Sequence, residues 1–332
     1  MMTISILKPG ILTTVQDGGR KNYLAQAVPI SGAMDNLSAR IANIALGNEE
    51  DSATIEFTYA AAAFKAETDL VIAYAGDGAM LVADGVQIPS ERPVFIPAGT
   101  LIKLTNNPEG ATTYFAIAGG FEVPDVLKSK STYLLGGFGG LEGRCLKIGD
   151  RLSGGENLSS LSQKIIASIK GPKISWPAWF IPRSSLLPSD KKTMRVFPAG
   201  EFTWFSPDSI INFLSKDFFV GINSNRMGIQ ISGDKISKRK QDELLSTAVC
   251  PGTIQVTGNG EMILLMADCQ TTGGYPRIGQ VTAVDLSLCA QLKPNDTICF
   301  TEISFDEAEM LYIQQEKILQ KIKLAVKNKF LS

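Results

Sequence analysis

A mainly β fold built from two related barrels, with a few helices and one more at the C-terminus, is the fold class this sequence predicts. Three observations lead there. Short apolar runs recur between Gly, Pro, Asn and Asp turns. Helical periodicity is confined to three stretches. The two halves of the chain echo each other in order.

In the first half the apolar runs are Leu70–Tyr74, Met80–Ala83, Val94–Ile96, Leu101–Leu104 and Tyr114–Ala118. The second half has Met194–Phe197, Gly228–Ile231, Thr253–Val256, Met262–Met266 and Thr297–Phe300. Turns such as Asp84-Gly85, Pro97-Ala98-Gly99 and Asn259-Gly260 separate them. Many short strands with such turns favour barrels or sandwiches over a doubly wound sheet.

The first helix is predicted over about Asn36–Leu46, with Leu37, Ile41, Ile44 and Ala45 on one stripe, Asp35 as N-cap and Gly47 at its end. A second starts at Ser206-Pro207, an N-cap followed by proline, with Phe205 and Ile210 spaced as a hydrophobic staple. The third runs from about Phe305, where Ser304 and Glu307 form a capping box. Its acids crowd the start and its lysines the end, as the helix dipole favours. Leu311, Ile318, Ile322 and Ala325 are its expected packing face.

The echo between halves pairs Tyr114–Gly120 with Met262–Ala267, Gly136-Gly137-Phe138 with Gly273-Gly274-Tyr275, and Leu146–Leu152 with Leu292–Ile298. The expected division is a first barrel at 1–160, a linker at 161–190, a second barrel at 191–304 and a C-terminal helix at 305–332. The Ser- and Gly-rich stretch Ser153–Lys164 opens the junction.

The 332 residues carry a formal net charge of -1, which gives no electrostatic case for nucleic acid or an anionic membrane. No apolar run approaches the roughly 18 residues of a membrane span, and the N-terminus does not read as a signal peptide. The five cysteines are odd in number and include no CxxC, so a disulfide framework or a Cys-only zinc site is not expected. A reduced, cytoplasmic compartment follows. The chain has no histidine. That excludes a Ser-His-Asp triad, a Cys-His pair and any His-ligated metal within it, and no metal is expected.

The richest segment is Ala267–Gly279, where an apolar run delivers the chain to Asp268-Cys269-Gln270-Thr271-Thr272-Gly273-Gly274-Tyr275-Pro276-Arg277. A carboxylate, amides, hydroxyls, a phenol and a guanidinium surround a glycine pair that lets backbone approach a ligand. It reads as a binding or catalytic loop, or as a turn stapled by its own side chains. Cys269 is either a nucleophile or a small buried hydrophobe. Gln16, Asp17 and Arg20 surround a glycine turn, followed by Ser31-Gly32-Ala33-Met34-Asp35; an Asp17–Arg20 pair closing that turn is the alternative to a site. Gly136–Gly143 is a flap or a weak phosphate loop, since it matches neither GxxxxGK[ST] nor GxGxxG. Arg226 either recognises an anion or braces a turn. Gln255 precedes the rich loop.

These motifs, in this order, resemble the family of the 5-oxoprolinase C component, also called allophanate hydrolase subunit 2 or the Kip-inhibitor antagonist. Val15–Arg20, Ser31–Asp35, Ser131-Thr132-Tyr133, Ser224–Gly228 and Gln270–Gly279 carry the resemblance, which covers about residues 5–303. It implies two cyclophilin-like β-barrels and two partner proteins, the Kip-inhibitor-like B component and the A component of the same complex. It implies ATP-dependent opening of 5-oxoproline to glutamate by that complex, with ATP bound somewhere in it. The related alternative is the carboxyltransferase part of biotin-dependent urea carboxylase, with biotin as cofactor. A third is a non-catalytic regulator of the Kip-inhibitor-like partner.

Under the resemblance, Asp268, Arg277, Tyr275 and Gln270 are the catalytic candidates. Gln255, Thr271, Thr272, Gly273, Gly274 and Arg226 are the substrate-binding ones. Gln16, Asp17, Arg20 and Asp35 line a related site in the first barrel or face the partner. The sequence departs from the family at Ala25–Pro29, where many members carry His-Leu-Gly-Val-Pro, and at Asn225 and Gln230, where Asp and a basic residue are frequent.

Overall fold

Two strands of the first half are buried at nearly every position, and the computed structural model shows why. Leu70–Gly76 and Thr112–Ile117 are neighbours in a five-stranded sheet. One face of that sheet meets a second sheet; the other carries the helix Asn36–Ala45, where Ala33, Ala39 and Tyr114 pack together. A strand buried on both faces has no solvent side and so loses its alternation. The structure describes residues 1–154, 156, 158–239 and 244–331. Gly155 and Asn157 of the predicted junction and Ser332 of the predicted helix lie outside the described residues.

The chain divides into two compact units. One comprises Met1–Arg20, Ser31–Arg183 and Ile318–Ser332; the other comprises Lys21–Ile30 and Ser184–Lys317. The first holds two antiparallel sheets. The six-stranded one has the order Arg151–Ser153, Thr3–Pro9, Ala62–Ala66, Leu101–Asn106, Ala79–Ala83, Val86–Gln87. The five-stranded one has the order Leu12–Gln16, Thr54–Thr58, Thr112–Ile117, Leu70–Gly76, Val94–Ile96. Their facing side chains form one core, with Phe64 at 4.8 Å from Phe115 and 6.0 Å from Phe57 between ring centroids.

The expectation of two barrels is therefore corrected: among the described residues one closed barrel is present, and the first unit is a pair of sheets around a shared core. No ladder joins the sheet edges among the described residues, and three of the four edge strands are only two or three residues long. Short edges limit further pairing.

The second unit contains the closed seven-stranded barrel. Its order is Thr193–Pro198, Arg277–Val281, Thr253–Val256, Met262–Leu265, Gly228–Ser232, Phe218–Val220, Thr297–Glu302. Closure comes from a parallel ladder pairing Thr193 with Cys299 and Val196 with Glu302. Phe213, on the helix Pro207–Ser215, stacks at 4.6 Å on Phe300. All three predicted helix starts are present: Asp35 accepts from the Ser38 N–H at 3.0 Å, Ser206 from the Ser209 N–H at 3.2 Å, and Ser304 exchanges bonds with Glu307.

A further helix, Ser160–Ile169, occupies part of the expected linker and starts on Ser159. On the C-terminal helix, Phe305–Leu331, the packed stripe is Ala308, Leu311, Gln315, Leu319, Ile322, Val326. Ile318 and Ala325, expected on that stripe, are exposed. No helix among the described residues is long and apolar enough to cross a membrane.

Candidate functional site on the barrel wall

The strands Thr253–Val256 and Arg277–Val281 pair in the barrel with their apolar residues in the core, where Ile254, Val256, Ile278 and Val281 are buried. Their polar residues share the other face. Regular pairing sets Thr253 against Gln280 and Ile254 against Gly279, but Gln255 is set against Arg277, with Ile278 bulged between. A bulge of this kind re-aims a side chain. Here it sets Arg277 opposite Gln255.

Arg277 is anchored by a residue that no local motif marks. Its backbone N–H and Nε donate to Glu201 Oε2 at 3.1 and 2.6 Å, and Nη2 donates to Oε1 at 2.7 Å. Nη1 donates to the Ala248 carbonyl at 3.2 Å. Bidentate pairing fixes both the plane and the position of the guanidinium. The Arg277 hydrogen bonds hold the Glu201 carboxyl below the usual carboxylate range despite its burial. Glu201 sits 76 residues from its partner, so sequence spacing gives no hint of the pair. The one local signal is Gly200, where a Cβ would stand 3.0 Å from Arg277 Nη2.

The rich loop lies against this wall. Gln255 Nε2 donates to the Tyr275 carbonyl at 3.4 Å, and its Oε1 accepts from Gln270 Nε2 at 3.2 Å. Gly273 passes so close to Gln255 that a Cβ would collide with Nε2. The loop is pinned from its other side by a short ladder pairing Thr272 with Ala248 and Gly273 with Thr247. Gln270, Thr272, Gly274 and Tyr275 are exposed, and Thr271 is half-buried. Gln270, Thr271, Thr272, Gly273, Gly274, Tyr275 and Arg277 therefore form one polar patch, with Gln255 and Glu201 buried beneath it.

Asp268 and Arg226 come together differently. Arg226 Nε and Nη2 donate to the two Asp268 oxygens at 2.8 and 3.1 Å, and the Asp268 N–H returns a bond to the Arg226 carbonyl at 2.9 Å. The side chains are 7% and 5% exposed, so this pair is a buried brace between two loops. The Arg226 guanidinium is directed at Asp268. Cys269 packs with Val249 and Leu265, and burial pushes its thiol up to about 12, which removes it as a nucleophile near neutral pH. Among the described residues no group of three or more acids and cysteines is placed to hold a metal.

In the first unit, Asp17 accepts from the Gly19 and Lys130 N–H groups and from the Ser129 and Ser131 hydroxyls. Arg20 is fully buried, donates to the Ser131 carbonyl and lies 4.8 Å from the Phe138 ring centroid. Gln16 Nε2 donates to Thr14 Oγ1 and the Thr132 carbonyl. These bonds fasten the strand Leu12–Gln16 to Ser129–Thr132 and the glycine loop beyond. That loop folds onto itself: a Cβ at Gly139 would collide with the Ser131 carbonyl, and one at Gly143 with the Gly137 carbonyl. Close packing accounts for these glycines, so they do not form an open phosphate cradle. Asp35 caps its helix and faces Arg183 Nη1 at 3.5 Å; Arg183, which sequence reasoning did not mark, also binds Asp77 and Glu91.

The carboxyltransferase domain, subdomain A and B, matches residues 26–302. This chain belongs to that family. The match spans Glu201, Gln255, Asp268 and Arg277 and begins after Gln16, Asp17 and Arg20. The carboxyltransferase-domain chain is 33% identical over 319 residues to the C component of 5-oxoprolinase from Escherichia coli (strain K12), covering 96% of this chain and 97% of the relative. It is 30% identical to urea amidolyase of Saccharomyces cerevisiae over 96% of this chain, but spans only 18% of that protein's length. The crystal structure of the K. lactis urea amidolyase superposes with a TM-score of 0.85 at 29% identity, over 96% of this chain and 20% of that one. The family thus relates to both 5-oxoprolinase and urea carboxylase or amidolyase systems.

Proposed function

We infer that this chain is the carboxyltransferase-type component of a larger enzyme and presents a small amide to a carboxyl donor. The observation that carries this reading is the barrel-wall patch within the matched carboxyltransferase domain: an anchored guanidinium beside an amide pair, under a glycine loop. No histidine is present in the chain, and Cys269 is held as a thiol. In this reading the patch binds and orients its reactants.

In the proposed step a carboxylated ureido nitrogen of biotin, arriving on its carrier as substrate, loses its N–C bond to the carboxyl group. The amide nitrogen of the acceptor forms the new N–C bond and its proton passes to the biotin nitrogen. Arg277, through N–H groups not used by Glu201, holds the carboxylate in transit. Gln270, held from beneath by the buried Gln255, fixes the acceptor amide, and the Gly273–Gly274 backbone donates to charge developing on oxygen. Tyr275 closes the exposed side, and Thr271 and Thr272 supply hydroxyls. Asp268 acts through Arg226 by holding the loop in place. The barrel's cyclophilin-like character, a cytoplasmic setting and the Kip-inhibitor-like partner belong to the same proposal.

The test supplies labelled carboxybiotin and urea, or another small amide, to this chain with its Kip-inhibitor-like partner. Label in the acceptor, lost in Arg277→Ala, supports the reading. The second reading is ATP-dependent lactam opening with the A and B components of 5-oxoprolinase. It is favoured by the end-to-end match to the E. coli 5-oxoprolinase component, which the urea enzymes do not give. Glutamate formed from 5-oxoproline only when this chain is present, with no carboxyl transfer, would establish it instead.

A further inference from the structure

We propose that a cleft of about 830 Å³ beside the end of the C-terminal helix binds a free nucleoside phosphate. Its lining includes Lys170, Lys173, Trp176 and Trp179 from the segment after the helix Ser160–Ile169, and Lys329 and Phe330 from the helix Phe305–Leu331. These residues all belong to the first unit, whereas the barrel-wall patch belongs to the second, so the proposed carboxyl transfer leaves the cleft unexplained. Its volume falls in the range of about 300–1,000 Å³ that small-molecule sites occupy.

Charge selects an anion. The two segments that build the cleft contain no acid: none occurs between Glu156 and Asp190, and none after Glu316. The ammonium groups of Lys170, Lys173 and Lys329 enter no ion pair among the described residues. Helix dipoles favour a lysine at a helix C-terminus, which accounts for Lys170 and Lys329. Lys173 lies beyond either helix and is not explained in that way. The lining hydroxyls of Ser168 and Ser175 already donate to the Ile165 and Ile169 carbonyls, at 2.7 and 2.5 Å. The side-chain donors left over are ammonium and indole N–H groups, and an acceptor-rich ligand is what they lack.

The rings select what carries the anion. Trp176 is 40% exposed and has no aromatic partner among the described residues, so its indole is available for stacking. Trp179 is held edge-on against Phe330, with centroids 5.9 Å apart. The wall is fastened without a ligand. Ser175 exchanges backbone bonds with Phe95 at 2.8 and 3.2 Å, and Arg92 Nη1 donates to the Pro177 and Ala178 carbonyls at 3.2 and 3.3 Å. A planar base stacked on Trp176, with its phosphates among the lysines, uses both features of the lining. The net charge of -1 disfavours a polyanion such as nucleic acid in the same place.

Isothermal titration calorimetry of the full chain with ADP, in the absence of divalent cations, tests this. The expected result is saturable binding at one site, weakened by salt. Lys173→Ala and Trp176→Ala each weaken it by roughly tenfold or more. The melting temperature stays nearly unchanged in both, because both side chains are exposed. Lys173→Arg and Trp176→Phe retain most of the affinity. Adenosine and pyrophosphate each bind more weakly than ADP, because each engages only the rings or only the lysines. No heat with ADP at millimolar concentration, an affinity unmoved by both alanine variants, pyrophosphate binding as tightly as ADP, or tighter binding of a single-stranded oligonucleotide would each overturn the proposal.

Discussion

Replacing Asp268 by Asn separates a brace from a catalytic base. The substitution keeps the shape of the side chain but turns one acceptor into an N–H donor facing Arg226, whose Nε and Nη2 stand 2.8 and 3.1 Å from the present oxygens. The buried guanidinium loses the carboxylate charge that faces its Nε and Nη2. Breaking a buried pair in this way costs about 3–5 kcal/mol. At about 2–4 °C per kcal/mol for a unit of this size, the melting temperature falls by roughly 6–20 °C. Differential scanning calorimetry reads the shift directly. The paired change Arg226→Met with Asp268→Leu removes both charges of the pair, and it recovers part of the lost stability. Activity in the complex should follow stability: it falls in Asp268→Asn and partly returns in the double variant. An Asp268→Asn protein that melts like the parent yet has no activity would refute the brace and make Asp268 a group that touches substrate.

Gly273→Ala pushes a methyl into Gln255 Nε2 and should destabilise by about 1–3 kcal/mol while exposing the Thr247–Ala248 ribbon to faster amide exchange; unchanged exchange would contradict the close approach. The Glu201 carboxyl is held below its ordinary value of 4.5 in the folded chain, so its pairing stabilises above that pH, and the stabilisation is lost as pH falls through the folded value. Glu201→Gln should therefore lower the melting temperature at neutral pH and converge with the parent in acid; a difference that persists below the folded value would refute the assignment. Thiol titration with an aromatic disulfide at mildly alkaline pH should label the exposed Cys250 and spare Cys269, whose thiol burial pushes up to about 12. Prompt labelling of Cys269 in the folded chain would reverse that reading.

Elements held by local rules were legible. The caps Asp35, Ser206 and Ser304 with Glu307 are contacts between residues three apart, and each is present. The strand Leu70–Gly76 was legible because burial on both faces leaves an almost unbroken apolar run. Barrel closure was not, since it depends on ladders such as Thr193 with Cys299, across more than a hundred residues. The similar spacing of the two halves thus predicted two barrels where the first unit forms two sheets. The helix Ser160–Ile169 was hidden by its serines, which resemble a linker until Ser159 is seen capping Ser162. At the site, the loop from Asp268 to Arg277 was visible from its density of polar groups. The bulge at Ile278 and the partnership with Glu201 were not, because each is a property of paired strands and packing.

The central claim is most directly tested by carboxyl transfer. Labelled carboxybiotin and a small amide are given to this chain with a Kip-inhibitor-like protein, and again with Arg277→Ala replacing the parent. The account predicts label in the acceptor with the parent chain and its loss in the variant. No transfer with the parent, alongside ATP-dependent conversion of 5-oxoproline to glutamate once the A component of 5-oxoprolinase is added, would contradict it.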